Sequence, residues 1–535
     1  MGIPYYYKDI ISKYKTIIKD KIPQCDYLLL DFNSVIHQCA ARVIQKCPIT
    51  YTHDMIIDEI VQQTVCIIEK LMPTKAVLIA VDGVAPVAKM VQQRKRRYIT
   101  ALKTEVIKEF IEQRLIDPPS PWNSDWDSNI ITPGTAFMTH LDTRLTEFFS
   151  SREAPYNVIV SGSNERGEGE QKLFDYLKRT CTGQDVIIIN GLDADLIMLS
   201  LLSNHSIFLQ RDEETFVDIC EFRQSICNHV NPDNPAQEFM WDYVFLCFLL
   251  GNDFIPNIPF LKIRNGGVDI LLDIYRSIQR EIDSNLVITK DAKHFSVNFR
   301  FLQDVFKKLT DMEKENMHFA CTKYTDTTYI RSSLPSLPEN CNKQLKKFLV
   351  NFEQFPLNNR HHLTSGSPKS IGVTWQSEYY HDLFRGHDSK NIEKYCNAYI
   401  EGLLWITNYY YNRNYDHFWS YPYTLSPLAS DIYKTMLTLT MDQFNSMHKK
   451  LDTNSHAFEI TPLLQLLCVI PPHSISIFPK HVQKLLTDPS HNMMQCFPTK
   501  FKLCTFMKTF LWECTPVLPD IDIVHAHNTL IQNQW

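Results

Sequence analysis

Glycine is scarce in this chain, with 15 in 535 residues, so each one kept at a motif is informative. Cysteine pairing is missing as well. The 15 cysteines are an odd number and no two stand at a CxxC spacing, which weighs against a disulfide framework and a cysteine-rich zinc site and points to a reducing, intracellular compartment. No apolar run approaches the ~20 residues that cross a bilayer; the most apolar stretch, YVFLCFLL at 243–250, is far shorter, and no membrane span is expected. The start, MGIPYYYKDI, lacks the basic and apolar parts of a secretory signal, and Tyr6 stands where myristoylation wants Ser or Thr. Net positive charge is absent too. A formal charge of −6 would, if evenly spread, weigh against a nucleic-acid binder.

The charge is not evenly spread: residues 89–97, KMVQQRKRR, hold five cations and no acid. With 44% hydrophobic and 21% charged residues the composition is that of a soluble globular protein, long enough for two or three packed regions. The N-terminal half alternates helix-period segments with short apolar runs: DYLLLDF, AVLIAVDG, NVIVSGS, DVIIING and SIFLQR. Such runs predict an α/β fold, a mostly parallel sheet with helices on both faces. Around 332–370 the pattern loosens into Pro, Ser, Asn and Gly, which reads as a connector. The expected organisation is a core over 1–285, a helical extension and connector over 286–371, and an aromatic-rich, largely helical region over 372–535 that packs against the core.

Seven acids end or follow apolar segments: Asp31 in LLLDFNS, Asp82 in AVDG, Glu168 and Glu170 in RGEGEQK, Asp193 and Asp195 in NGLDADLI, and Asp253 in LLGNDFIP. Any one alone reads best as a helix cap or a solvated turn residue. Parallel strands would gather them outside their carboxyl ends, where like charges in a partly dry cleft cannot all stay ionised. Divalent cations resolve that conflict. An oxygen-only donor set selects hard ions, Mg2+ or Mn2+, over zinc. Two such ions ~4 Å apart clamp the attacking and leaving oxygens of a phosphodiester. In ERGEGEQK, two of the scarce glycines flank Glu168. That predicts a helix start, where the dipole favours negative charge and Gly167 and Gly169 permit close approaches. Asp193 and Asp195 repeat the spacing around Ala194.

Lys89, Gln93, Arg96 and Arg97 fall at i, i+4, i+7 and i+8 and share one helix face. A solvated basic face or a nuclear-import signal is the plain alternative. Their place just after Asp82, in a chain acidic on balance, favours a pocket in which three cations and an amide hold a terminal phosphate. His361, His362 and the HAH at 525–527 read as surface histidines rather than zinc ligands, and Trp405, Trp512 and Tyr409, Tyr410 and Tyr411 as core aromatics.

These motifs, in this order, resemble the XRN family of 5′-to-3′ exoribonucleases over nearly the whole chain. MGIPYYY is similar to the family's MGVPxFF. DFNSVIH, VDGVAPVAKMVQQRKRRY, SNIITPGTAFM, SGSNERGEGEQK, GLDADLIML and FLCFLLGNDFIPNIP each parallel a family motif, and YIEGLLWITNYYY, WSYPYTLSPLASDI, LLCVIPPHS and LWECTPVLPDID resemble its second conserved region. The resemblance implies a PIN/FEN-like nuclease core. It implies that the seven acids are metal-binding and catalytic, that Lys89, Gln93, Arg96 and Arg97 form a 5′-phosphate pocket, and that His37 and a tryptophan, Trp419, stack on a terminal base. The chain departs from the family's WxWYYPYHYAP, which reads here as HFWSYPYTLSP with His417 at the first tryptophan; Val87 stands where the family carries arginine. The zinc knuckle of the nuclear branch is absent. The chain stops soon after the second region, which implies a compact member such as one from a large DNA virus or a protist.

The implied function is processive 5′-to-3′ degradation of 5′-monophosphorylated single-stranded RNA to nucleoside 5′-monophosphates with two Mg2+ or Mn2+ ions. A monomer is expected, acting in mRNA turnover in the cytoplasm, or in a cytoplasmic viral factory, with a decapping enzyme upstream. Two rivals differ in class. A structure-specific DNA 5′ nuclease of flap endonuclease type would follow LLGND with a glycine-rich GIPGIGPKTA pattern, where this chain has IPNIPFLKIRNGGVDIL. An inactive RNA-binding scaffold would be expected to have lost an acid or a pocket residue, and all eleven stand.

Overall fold

Each predicted run becomes a strand. A computed structural model describes residues 3, 5–112, 126–212, 214–230, 238–282, 284–289, 294–325, 375–383, 391–451, 458–488, 492–508 and 510–532. The connector expected over 332–370, with His361 and His362, lies outside them. The strands are β1 (Ile18–Lys19), β2 (Tyr27–Asp31), β3 (Ala76–Ala80), β4 (Asn157–Ser161), β5 (Val186–Asn190), β6 (Ser206–Gln210) and β7 (Phe216–Asp218). They form one sheet in the order β1-β7-β6-β5-β2-β3-β4. The pairs β6/β5, β5/β2, β2/β3 and β3/β4 are parallel. Only the β7 and β1 edge is antiparallel.

Side chains alternate across a strand, so a strand buried on both faces must be apolar throughout. β2 illustrates this: Leu29 joins a core with Leu78, Ile187 and Ile189, whereas Leu28 and Leu30 join another with Val77, Ile79 and Ile188. Helices α2 (Phe32–Lys46), α3 (His53–Leu71) and α5 (Ala136–Ser150) cover the second face. The first face is covered by α6 (Gly169–Thr180), α7 (Ala194–Leu202), α8 (Ile219–Val230) and α9 (Glu238–Phe248), with α1 (Tyr6–Lys13) at its margin. Helix α4 (Val87–Glu112) follows β3 and carries the basic run. Beyond the sheet come α10 (Gly267–Gln279), α11 (Phe299–Thr325), α12 (Trp375–Leu383), α13 (Ile392–Thr407), α14 (Ala429–Thr438), α15 (Met441–Leu451) and α16 (Pro462–Val469).

The aromatic-rich region shares the core of the sheet. Trp405, Tyr409, Tyr410 and Leu403 lie in the same apolar cluster as Leu29 and Leu196. Val87 is buried beside Leu464 and Leu467 of α16, and its N–H donates to the His417 carbonyl at 2.9 Å. The two departures from the family pattern are therefore neighbours: valine packs where a charged arginine would need a partner. Gln465, on α16, is fully buried. Its Oε1 accepts from Ala85 N at 2.7 Å and its Nε2 donates to Gly83 O at 3.4 Å, so it meets the backbone needs of the turn after β3. Truncation by Gln465→Ala leaves the Ala85 N–H buried without a partner, a cost of about 1–3 kcal/mol. Urea unfolding followed by circular dichroism is expected to show an unfolding free energy lower by that amount.

Candidate active site

The parallel strands bring the acids to one edge. Asp31 ends β2, Asp82 follows β3, Glu168 and Glu170 begin α6 after β4, and Asp193 and Asp195 begin α7 after β5. Asp253 follows the C-terminal end of α9. Asp31, Glu168 and Asp193 occupy the N-cap positions of α2, α6 and α7, yet none makes a side-chain capping bond. A capping acid would accept from the backbone N–H two or three residues on; these carboxylates serve another purpose.

The turn into α6 explains its glycines. Gly167 has φ of +103°, a conformation other residues rarely adopt. At Gly169 a Cβ would stand 2.8 Å from Asp31 Oδ1 and 3.0 Å from the Ala80 carbonyl. The bare backbone instead lets Gly169 N donate to Asp82 Oδ1 at 2.7 Å. Asn33 completes the hold, with Nδ2 donating to Asp82 Oδ2 at 2.8 Å and Oδ1 accepting from Asp82 N at 3.1 Å.

Glu168, Glu170 and Asp195 are buried, and Asp31, Asp82, Asp193 and Asp253 are half-buried. Burial raises the Asp31 carboxyl well above the usual carboxylate range, and the charges of Asp82 and Asp193 add to it. Burial, then Asp253 and Asp193, push Asp195 up to about 7. Among the described residues Lys89 reaches into the cluster, its ammonium 2.6 Å from Glu168 Oε2 and 3.0 Å from Asp253 Oδ2. Burial opposes that charge, but Glu168 and Asp253 outweigh it and hold the ammonium protonated well above the ordinary lysine range. Among the described residues no group of three or more His, Cys, Asp or Glu side chains is gathered closely enough to hold a metal ion as it stands; Glu168 and Asp253 are drawn onto Lys89 instead. The donor set still suits a hard cation. It is all oxygen, and Glu170 Oε1 and Asp195 Oδ2 are buried without a hydrogen-bond partner, an arrangement that costs free energy unless a cation or proton meets it.

The basic face of α4 divides its tasks. Lys89 points into the acids, while Arg96 is exposed and Gln93 and Arg97 are half-buried. Gln93 Oε1 and Arg97 Nη1 have no partner. Burial, then the charge of Arg96, lower the Arg97 guanidinium to about 9. Both shifts favour an anion beside it. His37, on α2, lies close enough to Arg96 and Arg97 to feel their charge. Desolvation within the recess, then Arg96 and Arg97, lower its imidazole to about 4, so a neutral ring faces the two guanidinium groups. Gln92, one position from the predicted face, donates to Asp253 Oδ1 at 3.3 Å; helical spacing alone did not single it out.

One aromatic expectation, that for Trp512, needs revision, and two of the core tyrosines have a second role. Tyr409 and Tyr410 are buried as expected, but their hydroxyls donate to Glu168 Oε1 at 2.7 Å and Asp195 Oδ1 at 2.8 Å. Nothing in a run of three tyrosines signals this, because the acids come from other strands. Trp512 is not a core residue: it is 43% exposed, with its ring beside Phe510 and Tyr5. It lines a cavity of about 620 Å³ that begins at Asp253, Gln92 and Arg96 and reaches Tyr5 and Arg264. Arg264 lies 3.5 Å from the Tyr5 ring centroid. Trp405 is core as expected. It stacks on Trp419 at 4.9 Å and 23°, leaving Trp419 half-buried, and His417 packs on Tyr415 at 4.4 Å.

The pattern of the XRN 5'-3' exonuclease N-terminus matches residues 1–213, and that of the Xrn1 helical domain matches 236–333 and 370–531. The chain belongs to the XRN family. It is similar to 5'-3' exoribonuclease 1 of Homo sapiens, 26% identical over 590 residues that cover 98% of this chain and 33% of that protein. It is also similar to 5'-3' exoribonuclease 1 of Schizosaccharomyces pombe, 25% identical with 98% and 48% covered, and to 5'-3' exoribonuclease 2 of Gallus gallus, 25% identical with 98% and 69% covered. The chain thus spans about a third to a half of the length of the first two. The two XRN segments coincide with the sheet and with the helical region that shares its core.

Lys89→Met removes the counter-charge from Glu168 and Asp253. Breaking a buried pair costs about 3–5 kcal/mol, so the unfolding free energy from a urea titration in EDTA at neutral pH is expected to fall by that amount. The deficit should shrink as pH is lowered and the stranded carboxylates take up protons.

Proposed function

We propose that this chain is a processive, metal-dependent 5′-to-3′ exoribonuclease that takes single-stranded RNA with a 5′ monophosphate and releases nucleoside 5′-monophosphates. One observation carries the reading: buried, unpartnered oxygens of Glu170 and Asp195 lie in a cluster bound to α4 through Lys89, and the same helix presents the unpartnered Gln93 and Arg97. Unmet acceptors at the starts of α6 and α7 and an unmet guanidinium donor on α4, with Lys89 of α4 reaching into the acids between them, suit a ligand that carries a phosphate at its end and a phosphodiester next to it.

Asp31, Asp82, Glu168, Glu170, Asp193, Asp195 and Asp253 would hold hard divalent cations, two Mg2+ or Mn2+ ions, which when bound activate water and stabilise the leaving oxygen. The protein's own part is positional. Gln93, Arg96 and Arg97 receive the terminal phosphate and set which phosphodiester reaches the acids. Asn33 and the Gly169 N–H hold Asp82 in place. His37, neutral at physiological pH, offers a flat face to the terminal base, with Trp419 as its partner; stacking tolerates any sequence. The cavity running from Asp253 past Arg96 to Arg264 and Trp512 combines cations with aromatic rings, as a path for a single strand requires. The names of the relatives support RNA over duplex DNA, and the flap endonuclease reading is set aside. The same proposal places the chain in mRNA turnover in the cytoplasm, as a monomer fed by a decapping enzyme.

The test is time-resolved degradation of one 3′-labelled RNA bearing a 5′ monophosphate, triphosphate or hydroxyl, with Mg2+ or with EDTA. Only the monophosphate form with Mg2+ should disappear rapidly, without accumulated intermediates. Asp195→Ala should abolish turnover with folding intact. Arg97→Ala removes a charge-assisted bond of about 1.5–3 kcal/mol and should lower kcat/KM for the monophosphate form about 10- to 100-fold while leaving the hydroxyl form unchanged. Equal loss of all three RNAs would sink the phosphate pocket, and no loss of any would favour a binding scaffold.

A further inference from the structure

We propose that Tyr409 and Tyr410 are positioning residues for the carboxylates of Glu168 and Asp195, so that the helical region, and not the sheet alone, completes the metal-binding cluster. The inference rests on reading those acids as metal ligands.

Helix α13 does not end in an ordinary cap. It runs into a π-helical turn over Asn408–Asn412, a geometry that costs regular hydrogen bonding and recurs at functional sites. Within the turn three consecutive phenols reach three different acceptors. Tyr409 donates to Glu168 Oε1, Tyr410 to Asp195 Oδ1, and Tyr411 to the backbone carbonyl of Trp241 at 2.7 Å. All three side chains are buried. Each of the first two phenols engages a single oxygen of its carboxylate. The other oxygen of Glu168 faces Lys89, and that of Asp195 has no partner. A donor on one oxygen fixes the plane of the carboxylate and aims the second, which is how outer groups orient metal ligands.

The phenols are themselves held. Tyr409 stacks on Trp405 at 5.4 Å and 18° and packs on Phe254, next to Asp253, at 4.8 Å. Tyr410 packs on Phe248 of α9 at 5.1 Å. Trp405 also stacks on Trp419. A continuous aromatic column therefore joins the acids of α6 and the Asp253 turn to the candidate base platform.

The test measures Mn2+ binding to the full chain by electron paramagnetic resonance of free Mn2+, beside steady-state kinetics on 5′-monophosphorylated RNA. Tyr410→Phe and Tyr409→Phe each remove one oxygen and keep the ring. Each is expected to weaken Mn2+ binding about 10- to 100-fold. Turnover at limiting metal should fall and recover as metal is raised, with KM for RNA within about twofold. Tyr411→Phe, in the same turn but bonded to a carbonyl, controls for general loosening: its Mn2+ affinity should stay within about twofold of the native chain even where its melting temperature drops. Native-like Mn2+ affinity in both Tyr409→Phe and Tyr410→Phe, or an equal loss in Tyr411→Phe, overturns the inference. Two independent variants keep it testable if one fails to fold. Failure of the native chain to bind Mn2+ would instead overturn the metal reading itself.

Discussion

Seven carboxylates gathered at one edge of the sheet, three of them buried and four half-buried, are the constraint around which this protein is arranged. Repulsion among them would open the sheet edge unless other groups restrained it. Lys89 is one such restraint, an ammonium placed between Glu168 and Asp253. Its position requires α4 to start immediately after the Asp82 turn, and that turn in turn requires Gly83 and Ala85 to find buried partners on Gln465. The basic helix, the acid cluster and the helical region are thus mechanically one unit. Moving any of them would leave charge or backbone unpaired in a low-dielectric interior.

The same logic accounts for the aromatic composition of the second region. Its rings do two things at once. Trp405, Tyr409 and Tyr410 bury large apolar surface against the sheet's helices, and the phenol hydroxyls of the two tyrosines end on Glu168 Oε1 and Asp195 Oδ1. Where the chain departs from its family, the substitutions suit their surroundings. Val87 packs into the core beneath α16, and His417 keeps a ring against Tyr415. These departures lie on the contact between the sheet and the helical region.

The recess also separates two kinds of cation. Lys89 answers the acids, whereas burial, then the charge of Arg96, lowers the Arg97 guanidinium. Guanidinium groups so placed gain from an incoming dianion, because the repulsion between them is relieved by the same bonds that hold the ligand. A neutral His37 beside them adds no further positive charge. Charge recognition and base stacking can therefore share one wall without opposing each other.

The parallel sheet, the order of its turns and the identity of the seven acids were legible in the chain, because strands buried on both faces must be uniformly apolar and acids at their ends are conspicuous. The helix start at Glu168 was legible for the same local reason: Gly167 and Gly169 answer steric demands within a few residues. Long-range partners were not. A run of three tyrosines carries no sign of which hydroxyl meets Glu168, which meets Asp195 and which meets a carbonyl, since that depends on a π-helical turn and on strands more than 200 residues away. Nor could spacing tell that Lys89 would turn to the acids and leave Arg96 and Arg97 to the recess, or that Trp512 would stand at a cavity wall. Local sterics and hydrophobic period act along the chain and can be read there. Pairing of buried charge and of hydrogen bonds is decided only when distant segments exclude water together, so tertiary structure alone assigned those roles.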